Sequence, residues 1–265
     1  MLPNLIQIGN FFLPTYGLLA VLGFMTALWM SSRLGRAAGL DPEAVFNLGI
    51  YSGLAALLGA KALLIALDFR YYLQSPSELL SMATLRAGGI FYGGLVAALV
   101  TAFLYMRRKK LPGLVTADAF APGLALGHSI GRLGCFAAGC CWGVPTRLPW
   151  AVTFSSQIAQ DRVGVPLGEP LHPTQLYESL AEAVVFLILY RRYRRPHRPG
   201  AIIGLYLALY SSARFFVEFV RYHDPTNAYF GPLVTEQWIA LALVGLGIWL
   251  MARPAQIDAR RHAST

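Results

Sequence analysis

Apolar residues form seven long stretches that are separated by short polar segments. Each stretch approaches the roughly 20 residues that a helix needs to cross the hydrocarbon core of a bilayer. The fourth stretch is interrupted by Pro122, His128 and Arg132, and the sixth contains Arg214 and Glu218. The pattern predicts an all-α membrane protein of about seven transmembrane helices. The predicted spans are residues 13–30, 45–67, 89–106, 116–136, 176–190, 201–220 and 233–251.

Positively charged residues alternate between the two ends of successive predicted spans. Because short loops rich in Lys and Arg stay in the cytoplasm, this distribution sets the orientation. One side holds fourteen of them and the other holds five, which predicts an outside amino terminus and a cytoplasmic carboxyl terminus. The fourteen are Arg33, Arg36, Arg107, Arg108, Lys109, Lys110, Arg191, Arg192, Arg194, Arg195, Arg198, Arg253, Arg260 and Arg261. The five are Arg70, Arg86, Arg147, Arg162 and Arg221.

Two longer segments are predicted on the outer side, at about residues 68–88 and 139–175. The second is rich in proline, glycine and polar residues, contains a predicted short strand at residues 150–154, and is expected to form a small periplasmic cap. We expect residues 1–265 to form a single integral-membrane domain. The first ten residues lack the basic region of a signal peptide, so no cleavable signal is expected.

The composition excludes most other classes of protein. Hydrophobic residues make up 56% of the chain and charged residues 13%, with a mean hydropathy of +0.51, whereas soluble chains carry about 25% charged residues. The same balance excludes disordered, collagen-like, coiled-coil and disulfide-rich chains. The net charge of +9 does not indicate nucleic-acid binding, because the basic residues are clustered between apolar stretches.

The sixth stretch carries polar residues at helical spacing within the sequence YSSARFFVEFVR. Spacings of four, four and three residues predict one shared helical face, and mostly aromatic side chains on the opposite face suit lipid. Charges inside a membrane are costly unless they are paired or hydrated. The pattern fits a buried structural salt bridge, or a stripe that pairs its acid and leaves one guanidinium for an anion such as phosphate. The polar residues are Tyr210, Arg214, Glu218 and Arg221.

A second polar group lies in HSIGRLGCFAAGCCWG, at residues 128–143. Its glycines permit a broken helix or a close approach of the backbone, as at substrate sites of membrane proteins. Arg132 is flanked by apolar residues, and it either extends to the membrane interface or binds phosphate. The presence of a second intramembrane arginine favours phosphate binding.

Other polar residues fall toward the outer ends of the predicted spans. The segment GGIFYGGL, at residues 88–95, opens the third span, where its glycines serve a site or pack helices together. The segment HPTQLYES, at residues 172–179, precedes and opens the fifth span. By position alone, the polar groups of these segments are expected to line one cavity with those of the first span. They are Tyr16, Tyr92, Gln175, Tyr177 and Glu178.

Taken in order, the motifs TYG, GGIFYGGL, GRLGCFAAGCCWG, HPTQLYES and YSSARFFVEFVR resemble those of bacterial phosphatidylglycerol–prolipoprotein diacylglyceryl transferases. The resemblance runs from Pro14 to Gln237. It implies a seven-helix inner-membrane enzyme with its catalytic cavity on the periplasmic side. No cofactor is expected. Such enzymes move a diacylglyceryl group from phosphatidylglycerol to the lipobox cysteine of a preprolipoprotein, which forms a thioether and releases glycerol 1-phosphate. The residues that match family functional positions are Tyr16, Arg132, Gly139, Tyr210, Arg214 and Glu218.

The resemblance implies that Arg132 and Arg214 hold the lipid phosphate. Two guanidiniums suit this role, because the negative charge on a departing phosphate must be stabilised. The chain departs from the family where Tyr92 replaces a histidine. A tyrosine of pKa about 10 donates a hydrogen bond but is a poor base. Either Glu218 or water takes the thiol proton, or the chain is a paralogue with a different acceptor. A lipid-binding or transport protein without catalysis is the third reading.

The cysteines also depart from the family, since Cys135 and Cys140 replace an asparagine and a glutamate. Four roles stay open for the three thiols: small packing residues, a redox pair, covalent acceptance of the lipid by Cys135 or Cys140, or metal ligation. Their spacing matches no common zinc pattern, and no metal is expected. The candidate catalytic residues are Arg132, Arg214, Tyr92, Glu218, Tyr16, Cys135 and Cys140. The supporting residues are Tyr210, Gly139, Gln175, Tyr177 and Arg221.

Overall fold

The computed structural model describes residues 2–8, 11–81, 84, 89–223 and 229–253. Four residues used in the sequence analysis lie outside the described residues: Arg86, Gly88, Arg260 and Arg261. The described chain is mostly helical. Two compact units can be distinguished, Met1–Ser31 with Ala117–Thr265, and Ser32–Thr116. The expectation of a single membrane domain stays a prediction.

Every predicted apolar stretch coincides with a helix. The long helices are α1 (Thr15–Ala37), α2 (Pro42–Leu67), α4 (Phe91–Lys109), α5 (Gly113–Ala138), α7 (Thr174–Tyr193), α8 (Ala201–Val217) and α9 (Thr235–Ala252). Shorter helices are α3 (Phe69–Gln74) and α6 (Gln157–Val163), and 3₁₀ turns cover Pro76–Leu80 and Glu218–Val220.

Four helical segments among the described residues are long and apolar enough to cross a membrane. They are Thr15–Ala37, Pro42–Leu67, Ala201–Val220 and Thr235–Ala252. The prediction of a helical membrane protein is therefore confirmed at this level. Helices α4, α5 and α7 carry charged or polar residues within or at the end of their apolar stretches, which lowers their hydropathy.

Short antiparallel strands precede two of the long helices. Strands β1 (Asn4–Ile8) and β2 (Phe11–Pro14) pair before α1. Two more, β5 (Tyr229–Phe230) and β6 (Leu233–Val234), pair before α9. The predicted first and last spans thus begin two residues early, because alternating strand residues are as apolar as the helices that follow them.

Residues 139–175 fold around a small core of their own. Strands β3 (Val152–Thr153) and β4 (Pro170–Leu171) pair antiparallel, so a strand is present within the predicted residues 150–154 but is shorter than predicted. Helix α6 lies between them in sequence. Side chains from the strands, the helix and the connecting loops are fully or almost fully buried and pack together: Phe154, Ala159, Val165 and Leu171.

Close helix packing in the first unit depends on small residues. A Cβ added to Gly127 of α5 would lie 2.6 Å from the Gly23 carbonyl oxygen of α1, so the two backbones approach directly, as small residues permit in membrane helices. Helices α5 and α7 are joined by reciprocal hydrogen bonds: Ser129 Oγ donates to the Ser179 carbonyl at 2.8 Å, and Ser179 Oγ donates to the Ser129 carbonyl at 2.9 Å.

Helix α8 is anchored by a buried carboxylate from α5. Asp118 accepts hydrogen bonds from the backbone N–H groups of Gly200, Ile202 and Ile203, at 2.7, 3.0 and 2.8 Å. The first N–H groups of a helix have no partner within the helix, and a negative charge there also interacts favourably with the helix dipole. Asp118 therefore holds the start of α8 against α5, the two helices that carry Arg214 and Arg132.

In the second unit, the glycines of GGIFYGGL pack helices together. A Cβ on Gly93 of α4 would lie 2.4 Å from the Gly59 carbonyl oxygen of α2. The helix-packing interpretation is therefore confirmed for Gly93. Tyr92 lies beside it in the first turn of α4 with about half of its surface exposed, and its catalytic role stays a prediction.

Candidate functional site

Three guanidinium groups converge on one carboxylate in the first unit. Arg132 Nη2 lies 2.5 Å from Glu178 Oε2, while Arg214 Nη1 and Arg221 Nη1 lie 2.7 and 2.9 Å from Glu178 Oε1. Arg214 Nη2 also contacts Glu218 Oε2 at 2.9 Å. We call these five residues the guanidinium cluster. The expectation that Arg132 and Arg214 lie close together is confirmed.

The guanidinium cluster is largely buried. The arginine side chains are 14–16% exposed, and the Glu178 and Glu218 side chains are 5% and 1% exposed. Arg132 is therefore held inside the protein by Glu178. Three guanidiniums, each with five N–H donors, share two carboxylates, so their donors outnumber the acceptors present. The cluster retains both positive charge and N–H groups with which to bind an anion.

The helix-face prediction for the sixth stretch is wrong for Arg221. Helix α8 ends at Val217, and after the 3₁₀ turn the backbone at Arg221 is extended. The reason is tertiary: the Val220 carbonyl accepts from Val144 N at 2.9 Å, and Tyr222 N donates to the Trp142 carbonyl at 3.1 Å. These bonds to another segment replace the bonds that would continue the helix.

Of the two alternatives for this stretch, the one that leaves a guanidinium without a carboxylate partner does not match the structure, because Arg214 and Arg221 both contact Glu178. The prediction of an outward aromatic side is supported, since Phe216 and Phe219 are 69% and 59% exposed. The salt bridge between Arg214 and Glu218 is present as one part of a larger cluster.

A histidine that the sequence analysis did not select orients Arg132. His128 lies one turn earlier on α5, and its Nε2 accepts a hydrogen bond from Arg132 Nε at 3.1 Å. An accepting Nε2 places the ring proton on Nδ1, which lies 3.8 Å from Glu182 Oε1. The Tyr210 ring meets the His128 ring edge to face at 5.4 Å. His128 thus lies between Glu182 and Arg132 of the guanidinium cluster and contacts both.

Glu178 is the central residue that sequence reasoning missed as a site residue. The sequence alone presents it only as a polar residue near the start of α7. The pairs His128 with Arg132 and Glu178 with Glu182 are each spaced by four residues. This spacing places each pair on one helical face, and it is the signal by which two facing polar helices could have been recognised.

Gly139 ends helix α5 in a left-handed conformation, with φ of 79°. Its N–H donates to the Phe136 carbonyl, and Cys140 N donates to the Cys135 carbonyl, both at 3.2 Å. This is the Schellman arrangement, in which glycine avoids the steric cost of a positive φ. The structure therefore gives Gly139 a role in turning the chain directly after α5.

The turn after α5 is held by two side chains of α7. Gln175 Nε2 donates to the Cys140 carbonyl, and Thr174 Oγ1 donates to the Cys141 carbonyl, each at 2.6 Å. Gln175 is fully buried, and its placement assigns it this positioning contact. Hydrogen bonds from the Cys135 and Cys140 thiols lower the pKa of Cys141, and the charges of Arg221 and Arg132 lower it further.

Two tyrosines selected from the sequence lie at separate points of the same unit. Tyr16 is half exposed and packs against Gly134 of α5, where an added Cβ would lie 3.4 Å from its ring. Tyr177 accepts a hydrogen bond from Trp150 Nε1 at 2.8 Å, and its hydroxyl lies 3.2 Å from His172 Nδ1. Tyr177 therefore fixes the loops around residues 150 and 172.

Gly143 marks the point where three chain segments cross. Its N–H donates to the His172 carbonyl at 2.9 Å, and it forms an antiparallel bridge with Arg221. A Cβ at this position would lie 2.4 Å from the Val220 carbonyl oxygen and 2.5 Å from His172 Cβ. Because backbone and Cβ atoms cannot move aside as a side-chain end can, only glycine fits.

We predict that Gly143→Ala costs about 2 kcal/mol or more, in the range of overpacked cores, and lowers the Tm in detergent by roughly 5 °C. Gly131→Ala is the matched control, since an added Cβ there meets nothing within 4 Å and alanine favours a helix. Thermal unfolding followed by circular dichroism measures both. Equal Tm values for Gly143→Ala and the unsubstituted protein would contradict the crossing argument.

The fold and the site together define a class: a helical membrane protein with a buried cluster of guanidiniums suited to an anionic group. The sequence profile of the family described as prolipoprotein diacylglyceryl transferase matches residues 3–253. The chain therefore belongs to the prolipoprotein diacylglyceryl transferase family, and it is an enzyme of the transferase class.

Three relatives illustrate the similarity, and each is described as a phosphatidylglycerol–prolipoprotein diacylglyceryl transferase. The chain is 36% identical to the one from Nitratidesulfovibrio vulgaris over 259 residues, which cover 95% of this chain and 93% of the relative. It is 34% identical to the one from Chromohalobacter salexigens over 271 residues (99% and 97%). It is 30% identical to the one from Clostridium tetani over 250 residues (94% and 96%). The resemblance seen in the motifs is confirmed.

Proposed function

We propose that this chain transfers a diacylglyceryl group from phosphatidylglycerol to the lipobox cysteine thiol of preprolipoproteins. The observation that carries the proposal is the convergence of Arg132, Arg214 and Arg221 on Glu178. A phosphodiester headgroup carries one negative charge and oxygen acceptors, and guanidinium forks match that geometry. Family membership supplies the two substrates, since the relatives are named for them.

The proposed reaction is a displacement at the carbon of the diacylglyceryl group that is bonded to the phosphate oxygen. The peptide sulfur forms a bond to that carbon, the C–O bond to phosphate breaks, and glycerol 1-phosphate leaves with the electron pair. The thiol proton passes to a base, for which Glu218 and water are the candidates. Negative charge increases on the leaving phosphate, so guanidiniums fixed in a buried site lower the barrier without having to reorganise.

Within this proposal, the residues around the cluster position its charges. Glu178 holds the three guanidiniums together against their mutual repulsion, and His128 fixes the direction of Arg132. Tyr210 packs on His128, while Tyr16 is exposed enough to meet a substrate. Acceptance of the lipid by Cys135 or Cys140 stays a prediction.

The proposal includes seven transmembrane helices in the bacterial inner membrane, with the amino terminus and the site on the periplasmic side. Its support is the placement of basic residues at or just after the ends of α1, α4, α7 and α9, which are alternate helices among the seven long ones. Reporter fusions test it. A fluorescent protein fused after Arg36 or Arg198 should fold in the cytoplasm, and alkaline phosphatase fused after Trp150 should be active outside; the reverse pattern would refute the orientation.

The activity is tested with the purified full-length protein, vesicles that contain phosphatidylglycerol labelled in its acyl chains, and a peptide with a lipobox cysteine. We expect labelled peptide and released glycerol phosphate in equal amounts, and neither product with a serine in place of the peptide cysteine. Glycerol phosphate released while the peptide stays unlabelled would indicate another acceptor. Absence of both products would refute the proposed reaction and favour a binding or transport role.

A further inference from the structure

The three cysteines of the chain meet in space. Their Sγ atoms all lie within 4.8 Å of one another, none of them forms a disulfide, and each residue is partly buried. Cys135 lies in the last turn of α5, and the turn at Gly139 brings Cys140 and Cys141 back toward it. The spacing of the cysteines along the sequence does not predict this convergence, because the convergence depends on the left-handed turn at Gly139.

The backbone that presents the thiols is held by hydrogen bonds from α7. Cys141 has a left-handed conformation, with φ of 62°, which is uncommon for a residue with a side chain. The carbonyl groups of Cys140 and Cys141 are held by Gln175 and Thr174. Such strain persists only where the surroundings impose it and is concentrated at functional sites.

The spacing suits a thiophilic metal ion. Zinc–sulfur bonds of about 2.3 Å place the sulfurs of a tetrahedral or trigonal site about 3.8–4.0 Å apart, which lies within the observed limit. Soft thiolate ligands select Zn²⁺ and Cu⁺ over hard cations.

We propose that Cys135, Cys140 and Cys141 form a three-thiolate site that binds one thiophilic metal ion of the Zn²⁺ class beside the guanidinium cluster. Each coordinating thiol releases its proton to solvent as its sulfur bonds to the ion. A bound ion ties the end of α5 to the turn that follows it. This inference uses the thiol geometry alone and does not depend on the proposed transferase reaction.

The test uses the full-length protein in detergent, reduced and freed of metal, and titrated with Cd²⁺ as a spectroscopic probe for thiolate ligation. We expect a sulfur-to-metal charge-transfer band that saturates at one Cd²⁺ per chain and is displaced by Zn²⁺. Cys135→Ser, Cys140→Ser and Cys141→Ser should each weaken binding at least about tenfold, the scale on which even supporting residues of metal sites act. Asp161→Asn, which removes an exposed carboxylate that contacts Gln157, is the control and should bind normally.

Three outcomes would overturn the proposal. The first is Cd²⁺ binding that is unchanged in all three cysteine variants, which would place the ion elsewhere. The second is no binding by a protein in which alkylation counts three free thiols. The third is a disulfide in the purified protein whose reduction does not generate a metal site. Circular dichroism of each variant without metal shows whether it is folded, and protection of the thiols from maleimide by Zn²⁺ gives a second readout in the unsubstituted protein.

Discussion

Arg214→Ala is expected to lower transferase turnover at least about a hundredfold, the scale on which single electrostatic donors act in active sites, while the protein still inserts into membranes. Arg214 is the arginine that contacts both Glu178 and Glu218, so its removal takes away a phosphate partner and disconnects the two carboxylates. Arg132→Ala, on the other side of Glu178, should have a comparable effect. Labelled phosphatidylglycerol and a lipobox peptide provide the assay.

The controls separate charge from geometry. Arg214→Lys keeps the positive charge but loses the planar fork, so it should recover only part of the activity. Arg36→Ala removes an exposed arginine from the last turn of α1 and should leave turnover unchanged. Normal turnover in Arg132→Ala or Arg214→Ala would remove phosphate binding by the guanidinium cluster from the mechanism.

Glu178→Gln is expected to have the largest effect on stability. It leaves three guanidiniums facing a neutral amide in a largely buried site, and removal of one partner from a buried ion pair typically costs 3–5 kcal/mol. For a chain of this size that loss corresponds to a fall in Tm of roughly 10 °C. Activity should fall with it, because the guanidiniums would separate. Thermal unfolding and the transferase assay measure the two effects.

Glu182→Gln offers a matched control one turn further along α7. Its carboxylate faces His128 at 3.8 Å, so its loss should cost less stability than the loss of Glu178. The double variant Glu178→Gln with Arg221→Gln removes one unpaired charge and should recover part of the Tm. If Glu178→Gln and Glu182→Gln are equally mild, Glu178 does not organise the cluster.

Much of the fold could be predicted because helices depend on local pattern. Each apolar stretch forms a helix in the structure, and the first and last spans were predicted to start too early because the strands that precede their helices are equally apolar. Leu13 and Leu233 lie in strands β2 and β6. The apolar residues of these strands are as compatible with a strand as with a helix. The end of α8 at Val217 is different, since it follows from backbone bonds to residues 142 and 144, which no local pattern contains.

The candidate site could be predicted only in part. Arg132 and Arg214 stand out because charges are expensive within apolar stretches. Glu178 did not stand out, because a glutamate in the first turns of a helix is ordinary by itself. Its importance arises from three arginines on other segments, 36 to 46 residues away in sequence.

The sequence by itself determined the class of the protein, the helices and the family, since composition, apolar periodicity and motif order are properties of the chain in one dimension. Only the tertiary structure decided that three guanidiniums share Glu178, that Gly143 sits where three segments cross, and that the three thiols meet. The physical reason is that burial and pairing energies depend on distances between segments. Those distances are fixed by packing and by turns such as the one at Gly139, and spacing along the chain does not encode them.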